Sequence, residues 1–366
     1  MKRKLGVLLG ASITALVACA AVAVNSHYSR DKPHHTPTGF VNNYSSTVAN
    51  KSPWPWYWER FNQGLPPPPA NNYNFPRVAW GQPDLAWLKA NRTETTATWI
   101  GHATVLLQTG GLNILTDPHF SERASPVSFA GPKRKVAPGI AFADLPHIDA
   151  VVISHNHYDH MDEKTLLWLA GQNGGAPRYF VGLGLKKWFT ERDIANVSEM
   201  DWWERETYKN VDFTMTPVQH WSARWTNDRF QTLWGGWVIR SAGTSSVNPY
   251  NFFFAGDTGY SKDFADIGQR LGPFDLAAIP IGAYAPRWFM RETHVDPAEA
   301  VKMHRDLRAV TSLAIHWGTF ELTDEALDEP PKMLAVELNK AALDPARFLV
   351  LKHGEMIKSA NSGKAR

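Results

Sequence analysis

Short apolar, β-branched runs recur along the chain, and they close on Gly, Pro, Asp or His. Such unbroken runs predict strands covered on both faces, since a half-exposed strand would alternate with polar residues. Thr98–Gln108 and Leu112–Thr116, separated by Gly110-Gly111, predict a hairpin, and Ala150–Ser154 predicts a short, fully apolar strand. Further strands are expected over Asp212–Thr216, Leu233–Arg240, Asn251–Ala255, Leu276–Ile281, Ser312–Ile315 and Arg347–Leu351. Helices are expected between them, over Glu163–Leu169, Lys262–Leu271, Pro297–Leu307 and Lys332–Ala341. Strands mixed with helices, and no repeat of solenoid length, indicate an α/β fold in one domain from residue 53 to 358.

The flanks differ from this body. Lys2-Arg3-Lys4 precede an uncharged run rich in Ala, Val and Leu, from Leu5 to Val24, the layout of an export leader. Leu16-Val17-Ala18-Cys19 resembles a lipobox in which Cys19 is lipidated. Ala21-Val22-Ala23 resembles an ordinary signal-peptidase site, and the whole run could instead stay as a membrane anchor. All three readings place the body outside the cytosol or on a membrane, in the cell envelope. Residues 25–52 are polar and are expected to be a linker, and 359–366 a polar tail. The stretch Pro53-Trp54-Pro55-Trp56-Tyr57-Trp58, followed by Pro66-Pro67-Pro68-Pro69, is expected to be extended or irregular, with its tryptophans packed on the domain or dipping into lipid.

Composition narrows the function. Hydrophobic residues at 43% and charged residues at 20% exclude a disordered or fibrous chain. The net charge of +3 equals the three basic residues of the leader, so no basic body remains to bind nucleic acid. The single cysteine excludes an intramolecular disulfide and a Cys-based metal site, whereas 14 histidines keep a His/carboxylate site open.

The histidines concentrate where apolar runs end. His155-Asn156-His157-Tyr158-Asp159-His160 directly follows Ala150–Ser154 and precedes a helix. His155 and His157 can project together from an extended chain, and Asp159 and His160 sit at the turn. The motif therefore offers a nitrogen-rich and a mixed N/O donor set, suited to Zn²⁺ before Fe or Mn. His220, Asp257 and His316 each follow another apolar run and are the candidates for the remaining donors. His102 reads as a hydrogen-bonded structural residue, Trp202, Trp203 and Trp234 as core, and Lys133-Arg134-Lys135 as either a solvated turn or a head-group contact. His34, His35 and His353 receive no role.

This set of donors resembles the metallo-β-lactamase superfamily. Within it the chain resembles the N-acyl-phosphatidylethanolamine-hydrolysing phospholipase D family, through Trp99-Ile100-Gly101-His102, Thr116-Asp117-Pro118, Gly131-Pro132-Lys133-Arg134, Phe254-Ala255-Gly256-Asp257-Thr258-Gly259, Pro286-Arg287-Trp288-Phe289-Met290, His294-Val295-Asp296-Pro297 and Ile315-His316-Trp317-Gly318. The resemblance implies a four-layer αβ/βα sandwich with two Zn²⁺ per chain. It assigns His155, His157 and His220 to the first ion, Asp159, His160 and His316 to the second, and Asp257 as a bridge. Tyr158 and His294 match positions that touch the substrate head group, and Asp117 matches one that supports the site without binding metal. The implied activity is a zinc-dependent phosphodiesterase. A metal-bound hydroxide would split N-acyl-phosphatidylethanolamine-like phospholipids into phosphatidic acid and an N-acylethanolamine, with Asp257 and His294 as catalytic residues, at a membrane surface. The rivals are a hydrolase of lactones or soluble phosphodiesters and a non-catalytic envelope lipid-binding protein. The sequence leaves the oligomeric state open.

Overall fold

In the run Ala150-Val151-Val152-Ile153, Ala150 and Val152 pack into one apolar cluster, and Val151 and Ile153 into another. Both faces of the strand are covered, which is why its sequence does not alternate. Phe180 divides from Tyr179 and Val181 in the same way. The computed structural model describes residues 24–45, 52–75, 84–243 and 249–359. The leader with Cys19 falls in residues 1–23 and most of the polar tail in 360–366, both outside the described residues.

The chain opens with a small hairpin, β1 (His35–Thr36) and β2 (Gly39–Phe40), followed by helices α1 (Trp54–Gln63) and α2 (Leu85–Ala90). A seven-stranded sheet contains β3 (Thr96–Gly101), β4 (Thr104–Thr109), β5 (Leu112–Thr116), β6 (Ala150–Val152), β7 (Arg178–Gly182) and β8 (Val197–Met200), with β16 (Met356–Lys358) beside β3. Strands β3 to β5 pair antiparallel and β5 to β8 parallel. Helices α3 (Glu163–Ala170) and α4 (Lys186–Thr190) make the parallel crossovers. The second seven-stranded sheet runs in order from β9 (Arg205–Tyr208) through β10 (Val211–Thr216), β11 (Gly236–Ser241), β12 (Tyr250–Phe254), β13 (Phe274–Pro280) and β14 (Ala309–Ile315) to β15 (Phe348–Leu349). Its parallel half is linked by α5 (Asp263–Arg270), α6 (Arg287–Met290), α7 (Pro297–Asp306) and α8 (Glu329–Lys340).

The two sheets face each other. Phe180 of β7 stacks on Phe213 of β10 with ring centres 4.0 Å apart and planes 11° from parallel. Trp237 of β11 crosses the core to donate its indole N–H to the Ile153 carbonyl, at 3.0 Å. Each such fully buried aromatic contributes roughly 2–3 kcal/mol of transfer free energy. Leu166, Leu169 and Phe189 cover the outer face of the first sheet, while Phe264, Ile267, Val301, Met303, Leu334 and Leu338 cover the second. The result is the four-layer αβ/βα sandwich.

Several local expectations change. The run Thr98–Gln108 is two strands, broken where Gly101 (φ 139°) and His102 (φ 54°) turn the chain. Pro53–Trp58 is not irregular: α1 starts at Trp54, because prolines are tolerated in the first helical turn, where N–H groups have no intrahelical partner. Helix α8 likewise starts earlier than Lys332, with Pro330 and Pro331 in its first turn. Residues 25–45, read as a linker, are hydrogen-bonded onto the domain, with Phe40, His34 and His35 buried. Arg134 is no solvated charge: its guanidinium donates to the His119 and Ser121 carbonyls and lies over Phe320.

Candidate metal centre

Every candidate donor sits past the C-terminal end of a strand, on the edge where the two sheets open. His155, His157, Asp159 and His160 lie between β6 and α3, His220 after β10, Asp257 after β12, and His316 directly after β14. The turns are tight. His316 adopts φ 60°, and its N–H donates to the His102 carbonyl at 2.9 Å. Gly282 lies so close that a Cβ there would sit 2.4 Å from the His316 carbonyl oxygen. The loop from His155 to His160 is held from outside by half-buried Arg224, which donates to the carbonyls of Asn156 (3.0 Å) and Met161 (2.8 Å).

Hydrogen bonds on the far side of each ring fix which nitrogen faces inward. His220 Nδ1 lies 2.9 Å from the Thr293 carbonyl, which can only accept, so Nδ1 carries the proton and Nε2 its lone pair. His160 Nδ1 donates to Asp117 Oδ2 at 2.6 Å, leaving the Nε2 lone pair free. Ser154 Oγ spends its hydrogen on Asp117 Oδ2 (2.5 Å) and therefore accepts from His155 Nδ1 (2.9 Å), which frees the lone pair of His155 Nε2. Buried and fully engaged, Asp117 thus orients two rings without pointing at the centre itself.

The inward atoms crowd together. His155 Nε2 is 2.8 Å and His220 Nε2 3.3 Å from His157 Nδ1. Around a second point, His160 Nε2 is 3.2 Å from His316 Nε2 and 3.3 Å from Asp159 Oδ2. Asp257 lies between, with Oδ2 3.1 Å from His160 Nε2 and 3.9 Å from His220 Nε2, and Oδ1 3.0 Å from His316 Nε2. Acceptors facing one another at these distances repel unless a cation lies among them, either a metal ion or, without one, the protons that Asp257 and Asp159 draw onto His160 and His316. Donors on one ion with metal–nitrogen bonds of about 2.0–2.1 Å sit about 3.3 Å apart, the spacing seen here. The donor set fits a pair of transition-metal ions.

Electrostatics agree with this. Burial, with its neighbouring rings, holds His155 and His220 well below the ordinary histidine range, and burial brings His157 down to about 4, so all three are neutral ligands at pH 7. Burial pushes Asp159 and Asp257 upward, but the surrounding histidines together outweigh it, His160 foremost with His102 and His316 on Asp159 and His316 and His294 on Asp257, and both stay ionised. His316 is pushed up to about 9, the pull of Asp257 and Asp159 overcoming burial.

The other candidates separate. His294 joins the centre, its Nδ1 3.8 Å from Asp257 Oδ2, and lines a cavity of about 300 Å³ that ends on His157, Asp159 and Asp257. The walls of that cavity are largely apolar and aromatic, with Trp56, Tyr57, Trp221, Phe289 and Met290, and they also carry the charged Arg229 and Glu292. Tyr158 faces elsewhere, beneath Arg224 (4.1 Å) and along a neighbouring cleft. The sequence reading missed how near His102 lies: its Nε2 is 3.1 Å from Asp159 Oδ2.

A family model described as the beta-lactamase superfamily domain matches residues 112–317, a span that contains all of these donors. The N-acyl-phosphatidylethanolamine-hydrolyzing phospholipase D 1 of Caenorhabditis elegans is 39% identical over 277 residues, covering 72% of this chain and 76% of that one. The chain belongs to this phospholipase D-like branch of the metallo-β-lactamase superfamily. A metal-dependent hydrolase of Methanopyrus kandleri is 27% identical, covering 70% of this chain and 97% of its own. Igni18, a metallo hydrolase of Ignicoccus hospitalis, has the same fold, with a TM-score of 0.52 at 19% identity, covering 73% of this chain and 98% of that one. Membership of this phospholipase D-like branch makes the chain a metal-dependent hydrolase and removes the non-catalytic reading.

Proposed function

We propose that the protein is a two-zinc phosphodiesterase that hydrolyses N-acyl-phosphatidylethanolamine-like lipids at a membrane surface of the cell envelope. The observation that carries the reading is an apolar, aromatic cavity whose floor is a His/Asp donor cluster fit for two ions. His155, His157 and His220 would hold one zinc, Asp159, His160 and His316 the other, and Asp257 would lie between them. Two zinc ions bound there lower the pKa of water toward neutrality and neutralise charge on a phosphodiester.

The chain's own residues do the rest. Trp221, Phe289 and Met290 give the acyl chain a dry wall, and Arg229 supplies positive charge for the phosphate. His294, brought down to about 4 by burial, is neutral at pH 7, so its ring N–H can donate a hydrogen bond to the departing alcohol oxygen at the cavity wall while the proton that oxygen gains comes from water. The entrance is shaped for lipid. Trp56 of α1 is buried and stacks on Phe289 (5.3 Å, 22°), while Trp54, Trp58 and Phe61 are 76%, 67% and 82% exposed. Residues 54, 58 and 61 share one helical face, and exposed tryptophans favour the bilayer interface. Among the described residues no helix is long and apolar enough to cross a membrane, so the proposed attachment rests on this face and on the leader.

The test is turnover of N-acyl-phosphatidylethanolamine vesicles in ¹⁸O-water, beside bis-p-nitrophenyl phosphate and a lactone. The label should enter phosphatidic acid and leave the N-acylethanolamine unlabelled. Turnover confined to the lactone or the soluble diester would overturn the lipid reading, and fewer than two zinc ions per chain would overturn the metal reading.

A further inference from the structure

We propose that residues 25–45 are a strap whose Asn42 positions His220, one of the donors assigned above. The side-chain amide of Asn42 grips both backbone groups of that residue. Its Oδ1 accepts from the His220 N–H at 3.0 Å, and its Nδ2 donates to the His220 carbonyl at 2.9 Å. The same Oδ1 accepts from the Trp234 indole at 3.1 Å, and that indole also donates to the Val218 carbonyl at 3.0 Å. Both peptide planes around His220 are thereby fixed to the strap, while its ring is fixed separately through Thr293. Three residues separate His220 from the end of β10, and although Gln219 is bridged to Gly259, the backbone groups of His220 itself pair with Asn42.

The strap is itself firmly seated. Asp201 receives bonds from His34 (2.7 Å), His35 (3.0 Å), the Trp202 N–H (2.7 Å) and Lys32. This His/His/Asp cluster matches the donor count of a metal site, but the Lys32 ammonium already lies on the carboxylate, and we read it as a clasp. Asn25 ties the hairpin shut by donating to the Thr36 and Gly39 carbonyls. Gly39 admits the close approach, since a Cβ there would lie 2.2 Å from the Phe230 carbonyl oxygen. Beyond Asn42, Asn43 donates to Asp263, Tyr44 to Asp266 and Ser45 to Glu292. Asn42 therefore arrives at His220 on a rigid support. Groups that orient a metal ligand in this way typically change metal affinity or activity by about 10–100-fold when lost.

The experiment is stepwise zinc removal by a graded chelator from the full chain, with the melting temperature of the metal-free protein as control. Asn42→Ala should weaken the ion held by His155, His157 and His220 by about tenfold or more, and the other ion by less than about threefold. Asn43→Ala, which cuts a strap contact without touching His220, should leave both ions at wild-type affinity. If Asn42→Ala does not fold, Asn42→Asp keeps the acceptor for the His220 N–H but sets a carboxylate oxygen against the His220 carbonyl in place of the donor, and should show the same selective loss. Equal weakening of both ions, unchanged affinity, or the same loss from Asn43→Ala would overturn the positioning role. A protein that binds no zinc at all would instead overturn the ligand assignment on which the role rests.

Discussion

Replacing Asp117 by asparagine should loosen both ions at once without emptying the core. The carboxylate is fully buried and accepts from Ser154 N–H (2.7 Å), Ser154 Oγ (2.5 Å) and His160 Nδ1 (2.6 Å). Asparagine has the same shape, so no cavity forms. Its oxygen stays on the Ser154 N–H, and its amide then points its hydrogens at Ser154 Oγ and His160 Nδ1. His160 must accept there, which moves its proton to Nε2. Ser154, now an acceptor from the amide, turns its own hydrogen to His155 Nδ1, and the proton of His155 also moves to Nε2. Two inward lone pairs, one in each donor group, are lost. Restoring the productive tautomers turns the His160 N–H against the amide N–H and leaves buried donors without acceptors, at about 1–3 kcal/mol, or about 5–100-fold in affinity. Competition with a chromophoric chelator at pH 7.5 measures this for each ion. An Asp117→Asn protein that holds both ions at wild-type affinity would refute the proton bookkeeping, and so would a loss confined to one ion.

Metal uptake should also depend on pH unequally. His160, raised well above the ordinary range, and His316, pushed up to about 9, must both shed protons before their ion binds, so that ion should weaken by about tenfold to hundredfold per unit as pH falls from 9, while the ion on His157, near 4, holds steady between pH 6 and 8; parallel slopes in metal titrations at three pH values would contradict this. His294→Ala should lower turnover by about 10²-fold or more and retain metal, as elemental analysis would report; metal loss would place His294 among the ligands. In Gly282→Ala, the new Cβ would meet the His316 carbonyl at 2.4 Å and force a backbone shift costing about 1–3 kcal/mol; an unchanged melting temperature and metal content would show that the turn yields freely.

The parts of the site that sequence exposes are those with local chemistry. His155 to His160 stand out because so many donors follow an apolar strand directly, and His220, Asp257 and His316 because each ends a similar run. The parts it hides are made by distant contacts. Asn42 lies 178 residues from the histidine it grips, inside a polar stretch with no periodicity. His34 and His35 look idle until Asp201 is brought to them. The break at His102 is invisible within an apolar run, because it is imposed by the His316 N–H that its carbonyl must receive. Helix α1 was masked by its prolines, and the polar edge strand β9 carries too little apolar pattern to declare itself. Tyr158 shares a motif with the donors, yet its ring is claimed by Arg224 on the other side of the loop.

The division of donors between the sheets also sets an order in time. His155, His157, Asp159 and His160 follow a strand of the first sheet, while His220, Asp257 and His316 follow strands of the second. Under the proposed assignment neither ion is complete from one half, and the second waits for His316, near the end of the chain. A growing polypeptide therefore lacks the full set for the first ion until His220 and Asp257 are made, and for the second until His316 follows β14. Each ion would be complete only once both sheets have docked, and so after passage through a membrane if the leader directs export of an unfolded chain, in which case the metal supply that matters is that of the destination compartment.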